Sequence, residues 1–169
     1  MSSKNKNIIN LIFLALTLLV NALGAFGKIN GLSQKQVSDM YPTPITPAPF
    51  TFSIWSIIYL LLLISILYLI KEHRRPEVEA FTKKFTPLFL LSSVLNILWI
   101  ISFSYRKLII SSIIIVFFLL TLLKIMKIIR QYPKLRKIVM HSFDFYAGWL
   151  TIASLVNIAA TLIKYQWKG

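Results

Sequence analysis

The chain has 169 residues, 57% of them hydrophobic and 14% charged, with a formal net charge of +14 and no cysteine. Too little polar surface is present to coat a soluble globule of this size, so the chain reads as a membrane protein, and the absence of cysteine excludes disulfides, thiol nucleophiles and Cys-based metal sites. The positive charge does not point to a nucleic-acid partner: the cations sit in short stretches beside apolar segments, as in Lys134, Arg136 and Lys137, where topology and anionic headgroups account for them.

Five apolar segments follow one another, at residues 8–26, 50–70, 86–105, 108–129 and 140–163. Each reaches the roughly 20 residues needed to cross a hydrocarbon core about 30 Å thick, and in lipid such runs must be helical. The expected architecture is one all-α integral membrane domain over residues 1–169, a five-helix bundle. The first segment follows Lys4 and Lys6 and ends in Ala22, Gly24, Ala25 and Gly27, which resembles a signal peptide. Its length favours a retained helix, since an h-region runs to about 7–15 residues. The same small residues suit either a homodimer seam or packing within one bundle.

Residues 27–49 form a long loop in which Pro42, Pro44, Pro47 and Pro49 forbid regular helix and favour a stiff extended path. It is expected to be a lid over the bundle mouth or a rigid connector. Of the Lys and Arg residues, 13 fall on the side of the N-terminus and 6 on the other. The positive-inside rule therefore predicts a multi-pass protein of the cell membrane with the N-terminus cytoplasmic, the long loop and the C-terminus outside.

Chemistry-bearing residues are few. His73 and His141 are isolated, so no multi-histidine metal site can form, although a haem needs only one axial ligand. Asp144 is the one carboxylate within an apolar segment, suited either to the first turn of a helix or to a pocket. Lys124 and Lys127 fit snorkelling at the end of the fourth span. No base stands beside a nucleophile as a hydrolase requires, and ion-coupled carriers need more buried charge than this.

Aromatic and amide residues carry the strongest pattern. Phe52, Trp55 and Tyr59 in the second span, and Asn96, Trp99 and Phe103 in the third, fall at i, i+3 and i+7, on one helical face. Tyr146, Trp149, Ala153 and Asn157 do the same in the fifth. Interfacial belts explain Tyr165 and Trp167, and an Asn can be simple interhelical glue. Trp99 and Trp149, each sharing a face with an amide deep in its span, point instead to a ring-lined pocket, to which Asn21 adds a polar group or further glue.

These three motifs resemble the TspO/MBR family, the tryptophan-rich sensory or translocator proteins. The proline-rich approach to Phe52-x-x-Trp55-x-x-x-Tyr59 is similar to the family's second-helix signature, and Asn96-x-x-Trp99-x-x-x-Phe103 to its third-helix motif. Tyr146-x-x-Trp149-x-x-x-Ala153-x-x-x-Asn157 is similar to the fifth. The prolines are split as Pro47-Ala48-Pro49, the phenylalanine lies three rather than four residues before the tryptophan, and the family's tryptophans of the first loop and fourth helix are absent, so the chain resembles a divergent branch. The resemblance implies a receptor or carrier for porphyrin-like or other flat hydrophobic molecules, bound in an intramembrane pocket beneath the first loop. No cofactor is required on this reading; a tetrapyrrole, protoporphyrin or haem, is the ligand. It implies rings from Trp55, Tyr59, Trp99, Phe103 and Trp149 as walls, hydrogen bonds from Asn96 and Asn157, a polar contact from Asp144, and close helix approach at Gly148 and Ala153. A slow light-dependent tetrapyrrole-degrading enzyme and a structural partner of other membrane proteins are the competing functions. Leu162-x-x-Tyr165-x-x-Lys168 also satisfies the loose cholesterol pattern, although an aromatic and a lysine at a helix end are expected anyway.

Overall fold

The structure, a computed structural model, describes residues 1–135 and 137–166. Arg136, Trp167 and Lys168, which enter the charge count, the interfacial belt and the cholesterol pattern, lie outside the described residues. The described residues contain six α-helices and a short 3-10 turn: α1 Ser3–Ala25, α2 Gln34–Asp39, the turn Pro49–Ser53, α3 Ile54–Lys71, α4 Pro76–Ser104, α5 Leu108–Ile129 and α6 Lys137–Lys164. Five of them, all but α2, are long and apolar enough to cross a membrane. They pack in a closed ring in the order α1, α3, α6, α5, α4 and back to α1.

The helix ends follow local chemistry. The Ser2 hydroxyl caps α1 by accepting from the Asn5 amide at 3.2 Å. At its other end Gly27 adopts φ +69°, and the Gly27 and Lys28 amides donate to the Gly24 and Leu23 carbonyls at 3.2 and 2.8 Å. This is the paired bonding that ends a helix on a left-handed residue, so glycine at 27 serves as a helix stop. The fourth span matches its expected limits. The third begins ten residues before its expected start, because Pro76 opens α4 at a position where no amide hydrogen is needed and Glu77 and Glu79 favour its first turn. Val78, Phe81, Thr82 and Phe85 then bury one face of a stretch whose charges point away. The second span is interrupted, its first residues forming the 3-10 turn that follows Ala48.

The packing inverts the pattern of a soluble helix. On α1, Ser3, Asn7, Asn10, Leu14, Thr17, Asn21 and Gly24 form the buried stripe, while Ile8, Ile12, Leu16, Leu19 and Leu23 are exposed. Because lipid solvates leucine and offers nothing to an amide, polar side chains turn inward. Asn7 Nδ2 donates to the Leu69 carbonyl at 3.1 Å and to Thr82 Oγ1 at 3.2 Å, and Asn10 Nδ2 to Asn7 Oδ1 at 3.2 Å and Thr86 Oγ1 at 3.1 Å. The Leu69 carbonyl is one of the last-turn acceptors of α3 that its own helix cannot satisfy. Beneath this ladder, Phe81, Phe85, Phe89 and Phe143 pack ring on ring, with successive centroids along α4 at 4.9 and 5.1 Å and Phe85 to Phe143 at 5.5 Å.

The long loop is pinned to the bundle. Ser33 and Gln36 cap α2 reciprocally. Val37, fully buried, seats against Phe103, Leu108 and Ala160 at the ends of α4, α5 and α6. A Cβ placed on Gly24 would lie 2.6 Å from Gln34 Nε2 and 2.9 Å from Ile100 Cγ2, so this glycine permits the approach of α2 and α4 to α1. Gly24→Ala should therefore destabilise the protein by about 1–3 kcal/mol, the ordinary cost of overpacking, read as a lower melting temperature in detergent.

Candidate functional site

Asn96, at 0% exposure, joins four helices through one side chain. Its Oδ1 accepts from Asn21 Nδ2 of α1 at 2.6 Å, and its Nδ2 donates to Tyr146 Oη of α6 at 2.9 Å and Tyr59 Oη of α3 at 3.3 Å. Asn21 Nδ2 also donates to the Thr17 carbonyl at 2.8 Å. A second junction forms one turn further along α4, where Trp99 Nε1 donates to Asn157 Oδ1 at 2.9 Å while Asn157 Nδ2 donates to Ser112 Oγ at 2.7 Å and Ser111 Oγ at 3.0 Å. Both amides thus have their hydrogens placed, as burial in hydrocarbon demands.

The rings converge as the spacing predicts. Trp55 stands at the centre, stacked on Tyr59 with centroids 5.6 Å apart, tilted against Trp99 at 5.9 Å, and edge-on to Tyr146 at 6.1 Å and Trp149 at 6.3 Å. These offset and T-shaped geometries are the ones aromatic quadrupoles favour. Phe103 extends the cluster from Trp99 at 6.2 Å. The hollow beneath the loop, lined by Phe52, Trp55, Trp99, Phe103, Trp149, Ala153 and Asn157 with Gln34 and Pro47 above, measures only about 40 Å³. That is space for a few waters rather than a ligand. The rings expected to wall a pocket fill it themselves.

A ligand-sized hollow lies beside them. Between α1 and α3 a space of about 510 Å³ is lined by Leu18, Asn21, Ala22, Ala25 and Phe26 on one side and by Phe52, Trp55, Ser56, Tyr59, Leu60 and Leu63 on the other, with Gln34 at the loop end. Ala22, Ala25, Phe26, Ser56 and Leu60 at its margin are exposed, so the hollow opens sideways toward the bilayer. Its volume falls within the about 300–1,000 Å³ usual for ligand sites, and its walls are mostly apolar with a few polar groups. Among the described residues, two buried donors near the loop, Gln34 Nε2 and Trp149 Nε1, have no hydrogen-bond partner. Gln34, Phe52 and Trp55 border both hollows.

Other expected positions fall elsewhere. Asp144 is not in a first turn, because α6 begins at Lys137, and its side chain is 47% exposed with His141 Nδ1 at 4.0 Å. It lines a shallow groove outside the bundle with Ile54, Phe145, Gly148, Trp149 and Ile152, away from Asn96 and Asn157. His141 shares this outer face and does not approach the ring cluster. A Cβ on Gly148 would meet nothing within 4 Å, so it mediates no close helix approach. Phe52 sits in the 3-10 turn rather than on the face of α3, yet reaches both hollows from there. Ser111, Ser112, Thr161 and Gln34 were not singled out by sequence reasoning. Ser112 and Thr161 share a hydrogen bond at 2.8 Å next to Asn157, and only the need to satisfy that amide could have pointed to them.

Fold and site together define a multi-pass helical membrane protein whose loop-side half is organised by inward-facing rings and amides. A family model described as TSPO-like protein matches residues 7–169. The chain belongs to the TSPO-like family, and membership suggests a membrane protein of the ligand-binding or transport type. No curated protein and no solved structure matches it.

Asn96→Leu should remove the partner of both tyrosine hydroxyls and of one Asn21 amide hydrogen, the other staying on the Thr17 carbonyl, at a cost of about 1–3 kcal/mol for each group left unpaired. Trp99→Phe, which removes one donor and part of a buried indole, should cost less than Asn96→Leu, because Asn157 Oδ1 keeps its bond from Ser111 Oγ at 3.2 Å. Thermal unfolding of both variants in one detergent checks the order.

Proposed function

We propose that the protein is a membrane receptor or carrier that binds a porphyrin-like or other flat hydrophobic molecule in the hollow between α1 and α3. The observation that carries this reading is the space of about 510 Å³ walled by the stacked pair Trp55 and Tyr59 and reached by Asn21. A flat conjugated ligand gains ring stacking there, and the amide fixes its orientation. The unpartnered Gln34 Nε2 at the loop end favours a ligand with an acceptor, such as a carboxylate or carbonyl. The lateral opening favours exchange with the bilayer, with the loop held over the mouth by Val37. In this reading the N-terminus is cytoplasmic and the loop faces outward, as the charge asymmetry indicates.

Titrating the detergent-purified protein with protoporphyrin while following tryptophan fluorescence tests the site. Ala22→Phe, which fills the hollow from its margin, should weaken quenching at least tenfold, whereas Ala153→Val, which faces the small cavity among the rings, should leave it nearly unchanged. The reverse order would place the ligand among the rings beneath the loop, and no quenching in the native protein would remove the porphyrin reading. Loss of porphyrin absorbance under illumination would assign a degrading activity instead.

A further inference from the structure

The groove between α4 and α5, on the face opposite the proposed ligand hollow, has a different chemistry. It encloses about 550 Å³ and is lined by Leu91, Leu95, Phe117, Leu120, Thr121 and Leu123, with Lys124 and Lys127 at one end. Phe117, Leu120, Lys124 and Lys127 follow one another at steps of three or four and so form a single stripe along α5. Lys124 lies 16 residues beyond Leu108, about 24 Å along the helix at 1.5 Å per residue, which sets it one turn inside the end of the span. Both lysines are exposed, and among the described residues neither takes part in an ion pair. The carboxylates at this end are engaged elsewhere: Glu72 with Arg75, Glu79 with Lys83, and Glu77 with the Lys134 amide.

We propose that this groove holds an anionic phospholipid, its acyl chain along Leu91, Leu95, Phe117 and Leu120 and its phosphate between Lys124 and Lys127. An apolar trough of this size fits a hydrocarbon chain, and two cations one turn apart at headgroup depth fit a phosphodiester. A second copy of the chain is a poorer occupant. A two-fold interface places the same patch on both partners, so the lysine pairs would face each other.

Native mass spectrometry of the full-length protein in micelles doped with phosphatidylglycerol or phosphatidylcholine tests the assignment. One phosphatidylglycerol should be retained per protomer in preference to phosphatidylcholine, and K124Q/K127Q should weaken that retention by roughly 30-fold, the loss expected for two near-surface cations. K71Q/K134Q, which removes equal charge from the same side without touching the groove, should leave retention unchanged, and Leu91→Trp should lower it by filling the trough with the lysines intact. Glycerol phosphate, a headgroup without chains, should not compete. Equal retention of the two lipids, an equal loss in K71Q/K134Q, competition by glycerol phosphate, or a lipid-free dimer would each overturn the proposal.

Discussion

Hydrocarbon cannot hydrogen-bond an amide, and the loop-side half of this protein is arranged around that fact. Asn96 is held at zero exposure because Asn21, Tyr59 and Tyr146 each bring a partner to it from a different helix. Removing any one helix would leave polar atoms facing lipid, so the amide sets the mutual register of α1, α3, α4 and α6. Asn157 does the same for α4, α5 and α6 through Trp99, Ser111 and Ser112. A driving force that ordinary apolar contact cannot supply between helices in lipid is provided instead by a few directional bonds.

The rings around these amides explain why the hollow of about 510 Å³ lies between α1 and α3 rather than among the rings. Trp55 meets Tyr59, Trp99, Tyr146 and Trp149 in close ring contact, and the space left beneath the loop beside Trp55, Trp99 and Trp149 is about 40 Å³. Volume accumulates where small residues stand opposite large ones, at Ala22 and Ala25 facing Trp55 and Tyr59. Between α4 and α6 at the end away from the loop the core is filled by the four phenylalanines, and the ladder from Asn7 and Asn10 closes α1 against α3 and α4 there.

The number of membrane spans, the all-α bundle and the convergence of the ring and amide faces were legible in the sequence, because each depends on length, apolarity and a spacing of three or four, while the short α2 within the long loop was not. The limits of α5 were legible for the same reason, its apolar run ending sharply at both sides. The early start of α4 was not, since Glu77, Glu79, Lys83 and Lys84 give a loop-like composition to a helix that has left the hydrocarbon. Asp144 was misplaced because α6 likewise begins before the apolar run. The buried stripe of α1 runs at steps of three and four through Asn7, Asn10, Leu14, Thr17 and Asn21, yet only Asn21 stood out in the sequence, as a pocket group or as glue. The position of the large hollow depends on how far α1 stands from α3, a distance no residue pattern encodes.

Val37 carries a consequence for kinetics. Its side chain is wholly enclosed by the ends of three helices, so lifting the loop means exposing that contact and the stopped end of α1 together. If guests reach Trp55 through the gap between α1 and α3, their rate of entry tracks their concentration in the surrounding leaflet rather than in solution. Two compounds that enter equally fast from lipid would then differ in apparent association rate by the ratio of their oil–water distribution coefficients.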